Sequence, residues 1–364
     1  MEKIIGTGSY GYIFSPCLKF EDKLDIDIEK YVTKLQIQCD TENEINNIKM
    51  INNIDKNNEF HLGKHFLVKL NENLYKNMIY DYNLNLFTDY NIKELTVILI
   101  KNGGYDLDNY SKIFKKWSST QKEKIYIFLK EFYRILQGIK LFNDNNIVHH
   151  DITPKNILYD IENNRLNFID FNLTNTKENI INLSRKSNYD YSIFHSSFPL
   201  ELYFFNITKF NQLIKKSDID IHDTFYKIYC YFIKNKKPST NKSINKLINS
   251  FSELFSYYYK LDDKINKKDI IKDILYDYKL SLLNLKKIDY TDLIINTLNT
   301  FDSYCYGLTL IYILNHIEHI IQNDLFLKLM DLGIKMSSID LSQRISIEES
   351  LLLFKNILEE YKIL

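Results

Sequence analysis

At 364 residues the chain is long enough to bury a large core, as one two-lobed domain or as two domains. Its 47 Lys and Arg balance 47 Asp and Glu, so no global charge points to nucleic acid or to a membrane surface, and the apolar run 95–100 is far too short to span a bilayer. The N-terminus does not read as a signal peptide. Cys17, Cys39, Cys230 and Cys305 lack paired spacing, so they read as reduced thiols of a cytoplasmic protein without structural zinc. Alanine is absent, while Ile, Asn, Lys and Tyr are crowded, which points to an AT-rich genome and not to a fold. The pairs Asn52-Asn53 and Asn57-Asn58 are accordingly read as loops.

In chain order, Ile4-Ile5 leads into Gly6-Thr7-Gly8-Ser9-Tyr10-Gly11-Tyr12-Ile13. G-x-G-x-x-G alone is shared by dinucleotide-binding folds and by plain hairpins. A dinucleotide fingerprint would open a helix, whereas Tyr12-Ile13-Phe14 continues as strand and Ser15-Pro16 breaks any helix. The next strand, 31–35, carries Lys34, which by itself would be a solvated edge charge. A helix over 41–54, capped by Asp40 or Thr41, turns Ile45, Ile48 and Ile51 to one side. Glu44 precedes Ile48 by one turn and can project toward Lys34, with Glu42 as its competitor. Residues 66–70, 78–82 and 95–100 read as further strands of a small antiparallel sheet. Gly103-Gly104 then marks either a hinge or a simple turn. Over 120–142, Ile125, Leu129, Phe132, Leu136 and Ile139 recur at helical spacing and predict a long core helix, on which Tyr126 and Tyr133 are packing or surface residues.

Three short strands follow, Ile147-Val148, Ile157-Leu158-Tyr159 and Phe168-Ile169. The turn Glu162-Asn163-Asn164 can fold the second onto the third, because Asn tolerates positive φ. That folding brings Asp151, Asn156 and Asp170 to one edge. A solvated hairpin with incidental acids is the bland alternative. An acid for a hydroxyl, with an amide oxygen and a carboxylate for Mg2+, is what phosphoryl transfer from ATP requires.

His149-x-Asp151-x4-Asn156, followed by Asp170-Phe171 with the aspartates 19 positions apart (170 less 151), resembles the catalytic and metal-binding loops of eukaryotic-type protein kinases. The resemblance covers Gly6 to Arg344 and implies an α+β bilobal fold: residues 1–101 as a small antiparallel β lobe, and 102–364 as a larger helical lobe with a helix-patterned, tyrosine-rich insertion at 202–298. It implies ATP and Mg2+ as cofactors. Gly6, Gly8 and Gly11 would cover the phosphates, Ile13 and Val32 would line the nucleotide site, and Lys34, paired with Glu44, would hold phosphate oxygens. Asp151 would orient the acceptor hydroxyl and take its proton, while Asn156 and Asp170 would ligate the metal. Thr153 replaces the usual lysine of this loop, and Lys155 is expected to supply that charge.

His150 stands where regulated kinases carry an arginine, so activation by phosphorylation through that position is not expected. Asn172 replaces a glycine and is expected to accept positive φ. His149 is expected to pack in a buried column with Ile48 and Phe171. Residues 175–197, with Ser184, Ser187, Tyr189, Tyr191 and Ser192, resemble an activation segment that stays mobile until a partner orders it. Pro199-Leu200-Glu201 resembles A-P-E, with Glu201 pairing Arg344, and Asp302 at a helix start would brace the catalytic loop. The insertion either adds self-packed bulk or contributes to substrate docking.

The implied activity is serine/threonine phosphorylation of a protein substrate by a monomer, with no role for nucleic acid or membrane. Endings such as P-L-E-L-Y-F-F are most like the kinases of giant DNA viruses, which implies a host-cytoplasmic or virion location. Two alternatives remain open, a pseudokinase scaffold that binds through the insertion and a small-molecule kinase. The latter would not be expected to carry Pro199-Leu200-Glu201 together with Arg344.

Overall fold

The structure, a computed structural model, describes residues 3–8, 11–18, 20, 24–69, 82, 84, 87, 90, 92–189, 196–234, 236, 242–259 and 267–364. β1 (Lys3–Gly8) and β2 (Gly11–Ser15) form an antiparallel hairpin with Gly8 opposite Gly11 and a bulge between Ile4 and Gly6. A Cβ on Gly11 would stand 2.1 Å from the carbonyl oxygen of Leu35, so the close approach of β2 to its neighbour demands glycine. β3 (Tyr31–Ile37), β4 (Phe66–Val68) and β5 (Leu95–Lys101) complete a five-stranded sheet in the order β1-β2-β3-β5-β4. β4 is shorter than the strand expected at 66–70, whose Leu70 lies outside the described residues. The strand expected at 78–82 lies outside them too, apart from Tyr82.

Alternation sorts the side chains of this sheet. Tyr12, Phe14, Leu35, Val97 and Leu99 pack with Leu84 and Phe87 on one face. On the other, Ile13 and Ile98 lie opposite Lys34, and Val32 lies opposite Ile100, forming a small apolar cluster with Ile45 and Leu62. The strand runs straight into α1 (Gln38–Ile54), which begins three residues before the expected start at 41. Ile37 occupies the cap position, so neither Asp40 nor Thr41 caps the helix, and the Thr41 hydroxyl donates back to the Ile37 carbonyl at 3.1 Å. Asn52 and Asn53 sit in the last turns of α1 and not in a loop, because Asn52 Oδ1 is held by His61 Nε2 at 2.8 Å.

Beyond β5 the chain crosses Asn102-Gly103-Gly104. Gly104 has φ 88°, and a Cβ there would lie 2.2 Å from the Tyr159 carbonyl oxygen. β6 (Tyr105–Asp106), α2 (Leu107–Phe114) and α3 (Lys122–Asp144) follow. α3 buries Ile125, Phe128, Leu129, Phe132, Ile135, Leu136, Ile139 and Phe142 and forms the spine of the helical part. Each such side chain contributes roughly 1.5–3 kcal/mol when fully buried. The short strands β7 (Ile147–Val148), β8 (Ile157–Asp160) and β9 (Arg165–Phe168) lie against it, with β6-β8-β9 hydrogen-bonded in that order. Asn164 takes φ 49° in the turn between β8 and β9.

β10 (Asn175–Thr176) pairs with β7, and α4 (Lys177–Arg185) follows where a mobile polar segment is expected. Thr176 caps α4 by accepting from Asn179 N, and Ile180 and Ser184 face the core, so burial overrides the polar composition. Tyr191 and Ser192 lie outside the described residues. The insertion folds as α5 (Ile207–Lys215), α6 (Asp218–Lys234), α7 (Lys242–Tyr257) and α8 (Lys267–Leu285). Its buried Phe251, Leu254, Tyr258, Leu275 and Tyr278 join the same apolar core as α3. α9 (Tyr290–Ile317) is buried on nearly every side, as a central helix must be, and α10 (Asn323–Met336) and α11 (Ile347–Glu360) close the structure. Asp302 therefore lies in the middle of α9, 12 residues after its first residue (302 less 290), and not at a helix start. Among the described residues no helix is long and apolar enough to cross a membrane.

Candidate active site

Lys34 points from β3 toward α1, where its Nζ lies 2.8 Å from Glu44 Oε2 and 3.7 Å from Asp170 Oδ1. Glu42 is exposed and takes a hydrogen bond from Gln38, so it is not the partner of Lys34. Burial opposes the charge on Lys34, but the carboxylates of Asp170 and Glu44 outweigh it and hold the ammonium above its usual range. Glu44 is likewise held below its usual range despite burial, by the Lys34 charge and by hydrogen bonds from Lys34 and Gln36. His65 Nδ1 lies 3.7 Å from Glu44 Oε1, and burial pushes this imidazole down to about 4, so it is neutral at pH 7.

The loop after β7 is held from below. The Asp302 carboxylate accepts the backbone N–H of His149 at 2.7 Å and of His150 at 3.0 Å, fixing His150 at φ 70°. Burial raises the Asp302 carboxyl against the pull of these donors. His149 is fully buried, its ring centroid 4.8 Å from that of Phe171, and its Nδ1 accepts the Asp151 N–H at 3.3 Å. Ile48 and Phe171 share its core. His150 packs among Phe198, Phe301 and Tyr189, and its Nε2 lies 3.4 Å from the Tyr189 hydroxyl. The His150 ring is thus enclosed by aromatic side chains.

Asn156 donates from Nδ2 to Asp151 Oδ2 at 2.6 Å and to the Asp151 carbonyl at 3.0 Å. Ile169 N donates to the Asn156 carbonyl at 3.0 Å, so the residue before Asp170 is tied to Asn156. Asp170 takes φ 60° and ψ 70°, while Asn172 lies in the 3-10 turn Phe171–Leu173 and does not take the expected positive φ. Its amide instead donates to Asp170 Oδ1 at 2.9 Å. Burial raises the Asp170 carboxyl, and Glu44 and Asp151 raise it further, with Lys34 opposing. Lys155 is exposed, one residue before Asn156. Ile13 and Val32 lie on the Lys34 face of the sheet, and Gly6 and Gly11 lie in its outer hairpin with Gly8 at the end of β1.

The structure therefore brings Lys34, Glu44, Asp151, Asn156 and Asp170 together between the sheet and the helical part. Three participants escaped the sequence reading. Gln36 follows Lys34 by two positions on a strand, and Asn47, which donates to the Phe171 carbonyl at 2.7 Å, follows Glu44 by three on a helix. Both spacings mark a shared face and were readable. His65 carried no signal. Farther from the loop, Glu201 and Arg344 form a fully buried pair at 2.7 Å, and Arg344 also lies over the Tyr304 ring.

No model of a known protein family matches the sequence. A stretch of 64 residues is 36% identical to the Acanthamoeba polyphaga mimivirus protein named "Putative serine/threonine-protein kinase R436", covering 18% of this chain and 22% of that protein. The match supports a kinase-like relationship, and it spans about a fifth of the relative's length.

Proposed function

We propose that the chain is an ATP- and Mg2+-dependent protein kinase with a bilobal fold, residues 1–101 and 102–364 forming the two lobes, that phosphorylates Ser and Thr hydroxyls of proteins. The observation that carries this reading is the convergence of Lys34–Glu44 with Asp151, Asn156 and Asp170, next to a sheet whose glycine hairpin sets Ile13 opposite Lys34. The donor set fits magnesium, because Asn156 Oδ1 and the Asp170 carboxylate are hard oxygen ligands. Asp170, Asp151 and Glu44 together also carry more negative charge than Lys34 offsets. Mg-ATP, when bound, supplies the phosphoryl group.

Each protein group then has a separable task. Lys34 presents a fixed positive charge for phosphate oxygens, and Glu44 keeps its ammonium in place. Asp151 orients the acceptor hydroxyl and takes its proton on a carboxylate oxygen, while Asn156 Nδ2 fixes the rotation of that carboxylate through Oδ2. Lys155, exposed beside the loop, is the cation available to the transferring group.

Transfer of radiolabelled phosphate to the chain itself and to a degenerate Ser/Thr/Tyr peptide library tests the reading. Asp151→Asn is expected to lower transfer by roughly 10²- to 10⁴-fold. Equal labelling by both proteins would refute it, and labelling confined to Tyr peptides would correct its specificity. One observation favours a second reading, a nucleotide-binding scaffold: the Asn172 amide occupies an oxygen of Asp170. Nucleotide-dependent stabilisation without any transfer would select that alternative.

A further inference from the structure

Gln36 is a polar residue in a place that packing alone would fill with an apolar one. It lies two positions after Lys34 on β3, so both side chains emerge on the same face of the sheet, and it is fully buried. Its Nε2 donates to Glu44 Oε2 at 3.0 Å, the same oxygen that Lys34 Nζ reaches at 2.8 Å. Glu44 is held as a carboxylate and can only accept, so the Gln36 amide has to turn its NH2 group toward it. That orientation leaves Gln36 Oε1 buried without a hydrogen-bond partner among the described residues. A methionine of similar length would leave no such orphan, so the amide serves Glu44 and not the core.

The backbone around Gln36 is fixed as firmly. Gln36 stands opposite Thr96 of β5, whose hydroxyl lies 3.5 Å from the Gln36 carbonyl oxygen and is hydrogen-bonded to the Thr41 hydroxyl near the start of α1. β3 passes into α1 without an intervening loop, Ile37 ending the strand and Gln38 opening the helix. Three positions after Glu44, Asn47 donates to the Phe171 carbonyl at 2.7 Å. α1 is thus tied to the strand through Glu44 and to the chain beside Asp170 through Asn47.

We propose that Gln36 is a positioning residue of the phosphate site: by holding Glu44 from the strand side, it keeps the Lys34 ammonium in one place before any nucleotide arrives. Two donors from one strand converge on Oε2, so the amide fixes a carboxylate rotation that Lys34 alone would leave free. The inference rests on the protein kinase reading, which it deepens on the nucleotide side.

Gln36→Met keeps the length of the side chain and removes the amide. Isothermal titration with Mg-ADP is expected to give an affinity about three- to tenfold below that of the wild type, the worth of one hydrogen bond. The melting temperature is expected to stay level or rise, because the unpartnered Oε1 goes with the amide. In a Lys34→Met background the same change is expected to lower Mg-ADP affinity no further, because Gln36 acts only through the Lys34–Glu44 pair. Amide hydrogen exchange over 38–47 is expected to ignore Mg-ADP in the wild type and to slow with it in Gln36→Met. A purely structural role would lower the melting temperature and give the same loss of affinity in both backgrounds. That result, or an unchanged affinity in the single variant, overturns the proposal. A wild-type chain that binds Mg-ADP and transfers no phosphate removes the kinase reading and leaves the Gln36 comparison to be decided by binding; one that binds no Mg-ADP removes both.

Discussion

Replacing Asp302 by alanine removes the acceptor of two buried backbone donors at once, those of His149 and His150. Hydrogen bonds to a charged acceptor contribute about 1.5–3 kcal/mol each, so the pair is worth about 3–6 kcal/mol before correction. Burial has already raised the Asp302 carboxyl, which means part of that gain is spent on desolvation, and a net loss of about 2–4 kcal/mol is expected. At roughly 2 °C per kcal/mol for a chain of this size, the melting temperature should fall by about 4–8 °C. Asp302→Asn keeps one good acceptor and should lose about half as much. The consequence for function follows from His150, whose φ of 70° is uncommon for a residue with a Cβ and is maintained by these bonds. Once they are gone the loop can relax and carry Asp151 with it, and transfer should fall roughly 10- to 100-fold. Thermal unfolding followed by circular dichroism, alongside the radiolabel assay, measures both effects. An alanine variant that melts within a degree of the wild type and transfers phosphate at the same rate would refute the bracing role.

Arg344→Met leaves the Glu201 carboxylate buried without its cation and should destabilise by roughly 3–5 kcal/mol in urea unfolding. Adding Glu201→Leu should recover much of that loss, because Glu201 Oε2 and Arg344 Nη2 already lack hydrogen-bond partners and the pair is incompletely compensated. His65, pushed down from 6.5 to about 4, binds its proton later in the folded state than in the unfolded one. Its contribution to stability is therefore complete above pH 6.5 and declines as the pH falls toward 4, by about 3 kcal/mol at most, and His65→Gln should flatten that part of the pH–stability curve. Mg-ATP at about 100 times its dissociation constant should stabilise the wild-type chain by about 2.7 kcal/mol in a thermal-shift experiment. Asp170→Asn or a chelator should abolish the Mg2+-dependent part of that shift, and an undiminished shift would count against Asp170 as a metal ligand.

Local sequence determined the elements whose signals repeat at short range. The glycine-rich hairpin, the long helix around Phe132 and the turn at Asn164 follow from spacing, turn chemistry and the absence of a helix-opening residue after Gly11. The Lys34–Glu44 contact was legible in part: Glu44 lies one turn before Ile48 on the helix, but its choice over Glu42 came from the family resemblance and not from the face alone. Tertiary packing decided the rest. α4 forms from a polar stretch because its neighbours bury Ile180 and Ser184, and Thr41 turns inward because β3 enters α1 without a loop. Asp302 came to lie in mid-helix, since the apolar residues that surround α9 lie far away in the chain and cannot be counted from its own pattern. For the same reason Tyr257 reads as one aromatic among many in the sequence. Its hydrogen bond to Asp108, 149 positions away (257 less 108), exists only once the insertion has packed against α2 and α9. Periodicity reports which face of an element is buried, and only the folded chain reports against what.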